Sequence, residues 1–281
     1  IGDVVLDVAK PCARCAITTV DPTTAETGKE PLRTLASYRR SGNDWVRQAY
    51  IKASNTGGED RFGFVIALSA DGNTLAVSAP YEDSAATGIN GNQADNSVEQ
   101  SGAVYVFTRT GSAWSQQAYI KASNAGAKFD EFGYSLTLSD DGTTLAVGAI
   151  SEASSATGIN GDQADTSADS SGAAYVFTRS GSTWSQQAYV KSSATRRNVL
   201  FGYSVALNGR GDTLAVGEYD TDRGKGAIYV FTRSAGTWSQ QARLQALTAE
   251  PGDSLGYALA ISDDGRTVAA TTARPVAPRI T

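Results

Sequence analysis

Eight residues recur three times in this chain: GAVYVFTR at Gly102–Arg109, GAAYVFTR at Gly172–Arg179 and GAIYVFTR at Gly226–Arg233. Their flanks recur with them. An LAV segment precedes each copy, at Leu75, Leu145 and Leu214, and W-S-Q-Q-A follows each, at Trp114, Trp184 and Trp238. A period of tens of residues decides architecture before local propensity does, because the unit that repeats is one supersecondary element that buries its faces against its neighbours. Phe62 lies 70 residues before Phe132 and Phe132 lies 69 before Phe201, whereas Phe201 to Leu255 is only 54, because the third unit lacks an insertion.

Four strand-length segments make up a unit: FGFVIALS from Phe62, TLAVSAPY from Thr74, GAVYVFTR from Gly102 and WSQQAYIKAS from Trp114. Ala70-Asp71-Gly72-Asn73 and its counterparts Asp140-Asp141-Gly142-Thr143, Gly209-Arg210-Gly211-Asp212 and Asp263-Asp264-Gly265-Arg266 carry the Asp and Gly of tight hairpins. Thr110-Gly111-Ser112, Ser180-Gly181-Ser182 and Ser234-Ala235-Gly236 mark a second turn, before the Trp strand. Each unit therefore reads as a four-stranded antiparallel meander. A sheet that is apolar on both faces must cover both, and stacking sheets around an axis does so with one sheet per repeat. The expected fold is all-β, a β-propeller of four-stranded antiparallel blades with complete units at about residues 62–123, 132–193 and 201–247. Partial units fall at 45–54, read as a closing strand without the rest of its blade, and at 255–273, a first hairpin. Such a ring is open or incomplete, and its unpaired blade edges offer a route to oligomerisation.

Composition removes several functions. With no His, the chain has no imidazole base for a Ser-His-Asp or Cys-His pair and no imidazole ligands for a zinc hydrolase. The 29 Asp and Glu sit mainly in Gly- and Ser-rich turns, where a solvated carboxylate is the plain reading. Lys and Arg are scattered in a chain of net charge −5, which argues against nucleic acid as a partner. No apolar run reaches the roughly 18 residues that span a bilayer. A chain without Met that opens at Ile1 reads as a processed or truncated piece, so localisation is not legible from its start.

The pairs Phe62-Gly63, Phe132-Gly133 and Phe201-Gly202, each followed by LAVSAP or LAVG and then by GA-x-YVF, resemble FG-GAP repeats, the blade unit of integrin-α-type propellers and of many bacterial secreted proteins. The resemblance covers Trp45 to about Ala273. It implies a non-catalytic binding or scaffold propeller, secreted or at the cell surface, with a protein or glycan ligand at its face loops. Blades of that family often hold calcium in a D-x-D/N-x-D-G-x-x-D hairpin loop. Here Ser69–Asn73 offers one carboxylate and Ser139–Gly142 two neighbours pointing apart, so a plain turn is expected. The insertions hold better-spaced oxygen donors: Asn90, Asn92 and Asp95 in the first unit, and Asn160, Asp162 and Asp165 in the second. These are the calcium candidates, and the competing reading is a surface loop whose Asn and Asp side chains bond nearby backbone amides.

Residues 1–40 do not recur. Lys10-Pro11-Cys12-Ala13-Arg14-Cys15 contains C-x-x-C, compatible with half a zinc site, a redox pair or a disulfide, although four-ligand structural zinc lacks its remaining ligands in this chain. This segment, continuing through Thr18-Thr19-Val20-Asp21-Pro22 and Glu30-Pro31-Leu32-Arg33-Thr34-Leu35 to Arg40, resembles the C-terminal part of MOSC (molybdenum cofactor sulfurase C-terminal) domains. That resemblance implies a cytoplasmic protein in which Cys15 ligates molybdenum or carries sulfur, with Arg14 favouring the thiolate. The rest of the MOSC barrel is not found in the sequence. No cofactor is therefore expected, and Cys15 reads as a relic.

Overall fold

The computed structural model describes residues 34–41, 44–125, 129–247 and 250–273. Three four-stranded sheets follow one another along the chain. The first is built from β3 (Ile66–Leu68), β4 (Thr74–Ala79), β5 (Ala103–Thr110) and β6 (Ala113–Ile120). The second comprises β7 (Phe132–Leu138), β8 (Thr144–Ala149), β9 (Ala173–Ser180) and β10 (Thr183–Val190). The third comprises β11 (Phe201–Leu207), β12 (Thr213–Glu218), β13 (Ala227–Ser234) and β14 (Thr237–Leu244), with a single turn of helix, α1 (Thr221–Gly224), between β12 and β13. Strand order within every sheet is sequence order and all pairings are antiparallel, so each unit is the expected meander. Among the described residues the sheets form an open arc.

Two hairpins flank the three blades. β15 (Ala258–Ile261) and β16 (Val268–Thr271) are the first two strands of a fourth unit, as expected. The other end corrects the sequence reading. The strand from Asp44 to Lys52 (β2) was expected without a neighbour, but it pairs with β1 (Thr34–Ser41), residues assigned by the sequence to the MOSC-like segment. β1 has the register of a third strand: Arg40 faces Trp45 as Arg109 faces Trp114, and the register shifts at Ser37/Tyr38 where β5 shifts at Val106/Phe107.

Each hydrophobic core lies between two blades. Val104, Val106 and Ile120 of the first sheet pack with Phe132, Leu145, Val147 and Tyr175 of the second; Val176 and Val190 of the second pack with Phe201, Leu214, Val216 and Tyr229 of the third. The second strand of each blade is buried along its whole length, TLAVSA, TLAVGA and TLAVGE, because its alternate residues serve the cores on both sides. That explains a dense apolar run where a half-buried strand would alternate. Phe62, Phe132 and Phe201 each meet their own third strand edge-on; for Phe132 the ring centroids lie 5.3 Å from Tyr175 and 6.0 Å from Phe177. The aromatic two positions further on forms a ladder across the inner strands, Phe64 to Tyr134 to Tyr203 to Tyr257, at 5.4–5.6 Å.

The recurring Gly-Ala that opens each third strand has an inter-blade cause. Gly172 (φ 74°) forms a parallel bridge with Phe201 of the next blade, and a Cβ at Gly172 would sit 2.1 Å from the Phe201 carbonyl oxygen. Gly102 meets Phe132 at the same 2.1 Å, and Gly226 approaches Leu255 at 2.2 Å. By contrast Gly181 (φ 61°), in a 3–4 hairpin turn, would present a Cβ to open space. Gly172→Ala is therefore expected to cost about 3 kcal/mol or more, against about 1–2 kcal/mol for Gly181→Ala, which carries only the left-handed backbone penalty. Denaturant unfolding of the two variants checks this, and equal losses would remove the inter-blade role of Gly172.

Candidate functional site

In an antiparallel meander the link from strand two to strand three and the link from strand four to the next blade leave from the same end of the blade. That rim gathers the two long insertions, residues 80–102 and 150–172, and the inter-blade links, whereas the short Asp-Gly turns occupy the opposite end. Each insertion folds back onto its own fourth strand through an isolated bridge, Ile89 to Ile120 and Ile159 to Val190.

The sequence-derived oxygen donors hold these loops in shape. Asn90, at φ 57°, donates its amide to the Tyr119 carbonyl (2.7 Å) while its Oδ1 accepts the Tyr119 amide (3.0 Å); Asn160 does the same with Tyr189 at 2.7 and 2.9 Å. Asn92 Oδ1 accepts from the Ala94 amide and Asp162 Oδ1 from that of Ala164. Asp95 bonds the Ala85 amide and Ser97 hydroxyl, and those donors hold its pKa below the usual carboxylate range. Asp165 accepts from both the hydroxyl and amide of Ser155 and from Ser167, which lowers it to about 2. Among the described residues no three Cys, Asp or Glu side chains gather as a metal site. In the short hairpin, Asp71 is occupied by the Ser69 hydroxyl and by the Asn73 amide and side chain. Cys15, the molybdenum ligand or sulfur carrier that the MOSC resemblance implies and that the sequence reads as a relic, lies outside the described residues.

Beneath the loops sits a network that sequence reasoning missed. Lys191 is fully buried, and its Nζ donates to Glu152 Oε2 (2.7 Å), Ser171 Oγ (2.8 Å) and the Gly172 carbonyl (2.7 Å). Glu152 Oε1 accepts from Tyr189 Oη (2.8 Å) and from Asn124 Nδ2 (3.0 Å), and Asn124 belongs to the link from the preceding blade. Asn124 Oδ1 in turn accepts from Tyr175 Oη at 2.6 Å. The first blade repeats the set with Lys121, Glu82, Ser101, Asn55 and Tyr105. Burial pushes both lysines below their ordinary pKa, and the adjacent glutamates work against that shift. Removing one partner of such a pair strands a buried charge, which explains why three residues distant in sequence change together. Where the second unit has Asn124, Glu152 and Lys191, the third has Ala194, Thr221 and Gln245 at the matching positions, and Ser192 Oγ donates to Tyr229 Oη instead. The signal was present in the repeats: a Glu seven residues after the LAV leucine at Glu82 and Glu152 but not in the third unit, and a Lys seven residues after the Trp at Lys52, Lys121 and Lys191 but not after Trp238.

A cleft of about 530 Å³ opens between the first and second blades at this rim, lined by Thr87, Asn124, Asp130, Glu152, Gln163 and Asp165. Asp130 is 2 % exposed. Burial, with the Glu152 charge second, raises its carboxyl to about 8, and Lys121 and Lys191 pull the other way. A carboxyl with a raised folded pKa binds a proton more tightly in the native state, so its contribution is fully present below about pH 4 and is lost as pH rises through about 8. Asp130→Asn is expected to flatten the fall in stability between pH 4 and pH 8 and to be more stable than the parent at pH 8. Urea midpoints across that range measure it, and parallel profiles would show that Asp130 titrates normally.

Three stretches of the chain, residues 45–107, 114–177 and 184–231, match the model of the FG-GAP repeat family, together more than half of its length. The match begins at residue 45, so the MOSC-like resemblance of residues 1–40 receives no support from it, and it stops before the hairpin at Ala258–Thr271. No curated protein matches the sequence. Among solved structures, the crystal structure of TolB from Acinetobacter baumannii overlaps with a TM-score of 0.41 at 13% identity, over 84% of this chain and 42% of that one. The chain thus spans less than half the length of that TolB.

Proposed function

We propose that this chain, which belongs to the FG-GAP repeat family, acts as a non-catalytic binding or scaffold module of a secreted or cell-surface protein, with the rim of long loops as its contact face. One observation carries the reading: two repeated insertions are each pinned to their own blade. Asn90 and Asn160 dock on the fourth strands, Asp95 and Asp165 close the loops, and the buried Glu82–Lys121 and Glu152–Lys191 pairs anchor their bases at 2.7 Å. Ser54 and Ser123, on the links from the preceding blades, bond Gln93 and Gln163 and join each loop to the neighbouring blade. Loops held this way lose little conformational freedom on binding, which favours a partner recognised by surface rather than by closure around a small molecule. A protein or glycan ligand fits this reading, and residues such as Thr87, Asn96, Thr157 and Thr166 stand exposed on the rim.

The test is to screen the purified chain against arrays of glycans and of extracellular protein domains, then to repeat the positives with Asn96→Lys/Thr166→Lys. Both positions are exposed, so the melting temperature should hold to within about 2 °C. Saturable capture that weakens at least about tenfold in the variant is expected, roughly the loss of one good interfacial contact. No capture on either array, or capture indifferent to the substitution, would overturn the reading.

A further inference from the structure

The rim differs at the third blade. The link from β12 to β13 is short there, and Gln245, whose counterparts Lys121 and Lys191 are covered by Gly88 and Gly158 of the insertions, lines an open cleft of about 690 Å³. Four of the chain's 24 Lys and Arg line it: Arg196 and Arg197 from the inter-blade link, and Arg223 and Lys225 from the short connection. Among the described residues of that lining Asp220 is the single acid. Gln245 stands where Lys121 and Lys191 stand in the other blades, and no glutamate occupies the position of Glu82 and Glu152. The Glu–Lys pair of the first two blades thus has no counterpart at these positions; Glu218 is buried beneath Tyr229 instead, Arg243 donates to the same hydroxyl, and four cations have collected around the opening. Arg197 bonds Asp169 at 2.7 Å across a solvent-exposed contact, and no described residue forms an ion pair with Arg223 or Lys225. In a chain of net charge −5 this is a local reversal of sign.

The geometry points to this cleft as a binding site for a small polyanion carrying phosphate or sulfate ester groups. Several cations sharing a concave site repel one another and focus a positive potential, and an anion that enters relieves both. Guanidinium groups present paired N–H donors that match the oxygens of phosphate and sulfate, and three of the four cations are arginines. A volume of about 690 Å³ lies in the range of ligand pockets and is too large for a lone ion, so the ligand is of nucleotide or disaccharide size with more than one charge. The lining comes from the inter-blade link and the third blade, and it touches the second insertion where Arg197 bonds Asp169.

The test uses the full chain in low-salt buffer and isothermal titration with two probes, inorganic pyrophosphate and a sulfated disaccharide. The parent should bind at least one of them at a single site, with affinity falling as salt is raised. The probe preferred tells phosphate from sulfate. Arg196→Ala/Arg223→Ala, two exposed positions, should weaken binding about tenfold or more, since each arginine contributes charge-assisted hydrogen bonds. Arg210→Ala, an exposed arginine paired with Asp212 in the hairpin turn of the third blade, should leave it unchanged. Binding of neither probe, or equal losses in the cleft variant and the Arg210 variant, would overturn the assignment. A cleft variant with an altered circular dichroism spectrum is replaced by Arg223→Gln, judged by the same comparison.

Discussion

The structure depends on how closely one blade's backbone approaches the next. Gly102 and Gly172 at the head of the third strands touch the backbone of Phe132 and Phe201, and Gly148 and Gly217 in the second strands would place a Cβ 2.1 and 2.3 Å from the carbonyl oxygens of Gly202 and Gly256. Ser135 and Ser204 donate to those same two carbonyls at 2.7 and 2.6 Å. As the sheets lie, a Cβ at these glycines would meet the next blade's backbone; the first blade carries Ser78 at the position of Gly148 and Gly217, and its Cβ faces Gly133. With the sheets in contact, Phe132 and Phe201 fill the space between them, and burial of each ring contributes on the order of 2–3 kcal/mol. The Phe-Gly and Gly-Ala pairs are thus two sides of one inter-blade joint, which is why they recur together.

The other repeated letters have the same origin at the opposite end of the blade. The second Gln of W-S-Q-Q reaches forward: Gln117 Oε1 accepts from both Arg179 Nη1 (3.1 Å) and Trp184 Nε1 (2.9 Å) of the next blade, and Gln187 accepts from Arg233 and Trp238 at 3.0 and 2.8 Å. Each of these guanidiniums also lies over its own tryptophan ring, 5.6 Å away for Arg179 and 5.4 Å for Arg233. The hairpin turns join in, with the Ala70 amide bonding the Asp140 carbonyl and the Asp140 amide bonding that of Gly209, both at 2.9 Å. At the rim the Asn–Glu–Lys networks perform the equivalent task in the first two blades. Their replacement in the third lets one corner of an otherwise uniform rim become a basic cleft.

The blade count, the meander order and the turns were legible because each leaves a periodic trace in the sequence. Thr34–Ser41 was not, since TLASYRRS lacks the Tyr-Val-Phe run of the other third strands. What it keeps is the spacing, Arg40 and Trp45 around Gly42 as Arg109 and Trp114 lie around Gly111. The loop donors Asn90, Asp95, Asn160 and Asp165 were found, but oxygen-rich spacing alone does not separate a ligand set from a loop that bonds itself. The Glu152–Lys191 pair escaped for a different reason. Its members lie 39 residues apart, and charged residues in loops are normally solvated, so burial of both became visible only through the fold.

The central claim is that the blades are joined by backbone contacts as firmly as strands are joined within a blade. Native-state hydrogen exchange tests it at the amides that cross from blade to blade, those of Ala70, Asp140 and Phe201, bonded at 2.9, 2.9 and 3.0 Å. These should exchange only through global unfolding, with the same opening free energy and denaturant dependence as the Val147 amide at the centre of the second sheet. Exchange about a hundredfold faster than Val147, without dependence on denaturant, would mean that the blades part locally and that the repeated residues do not hold them together.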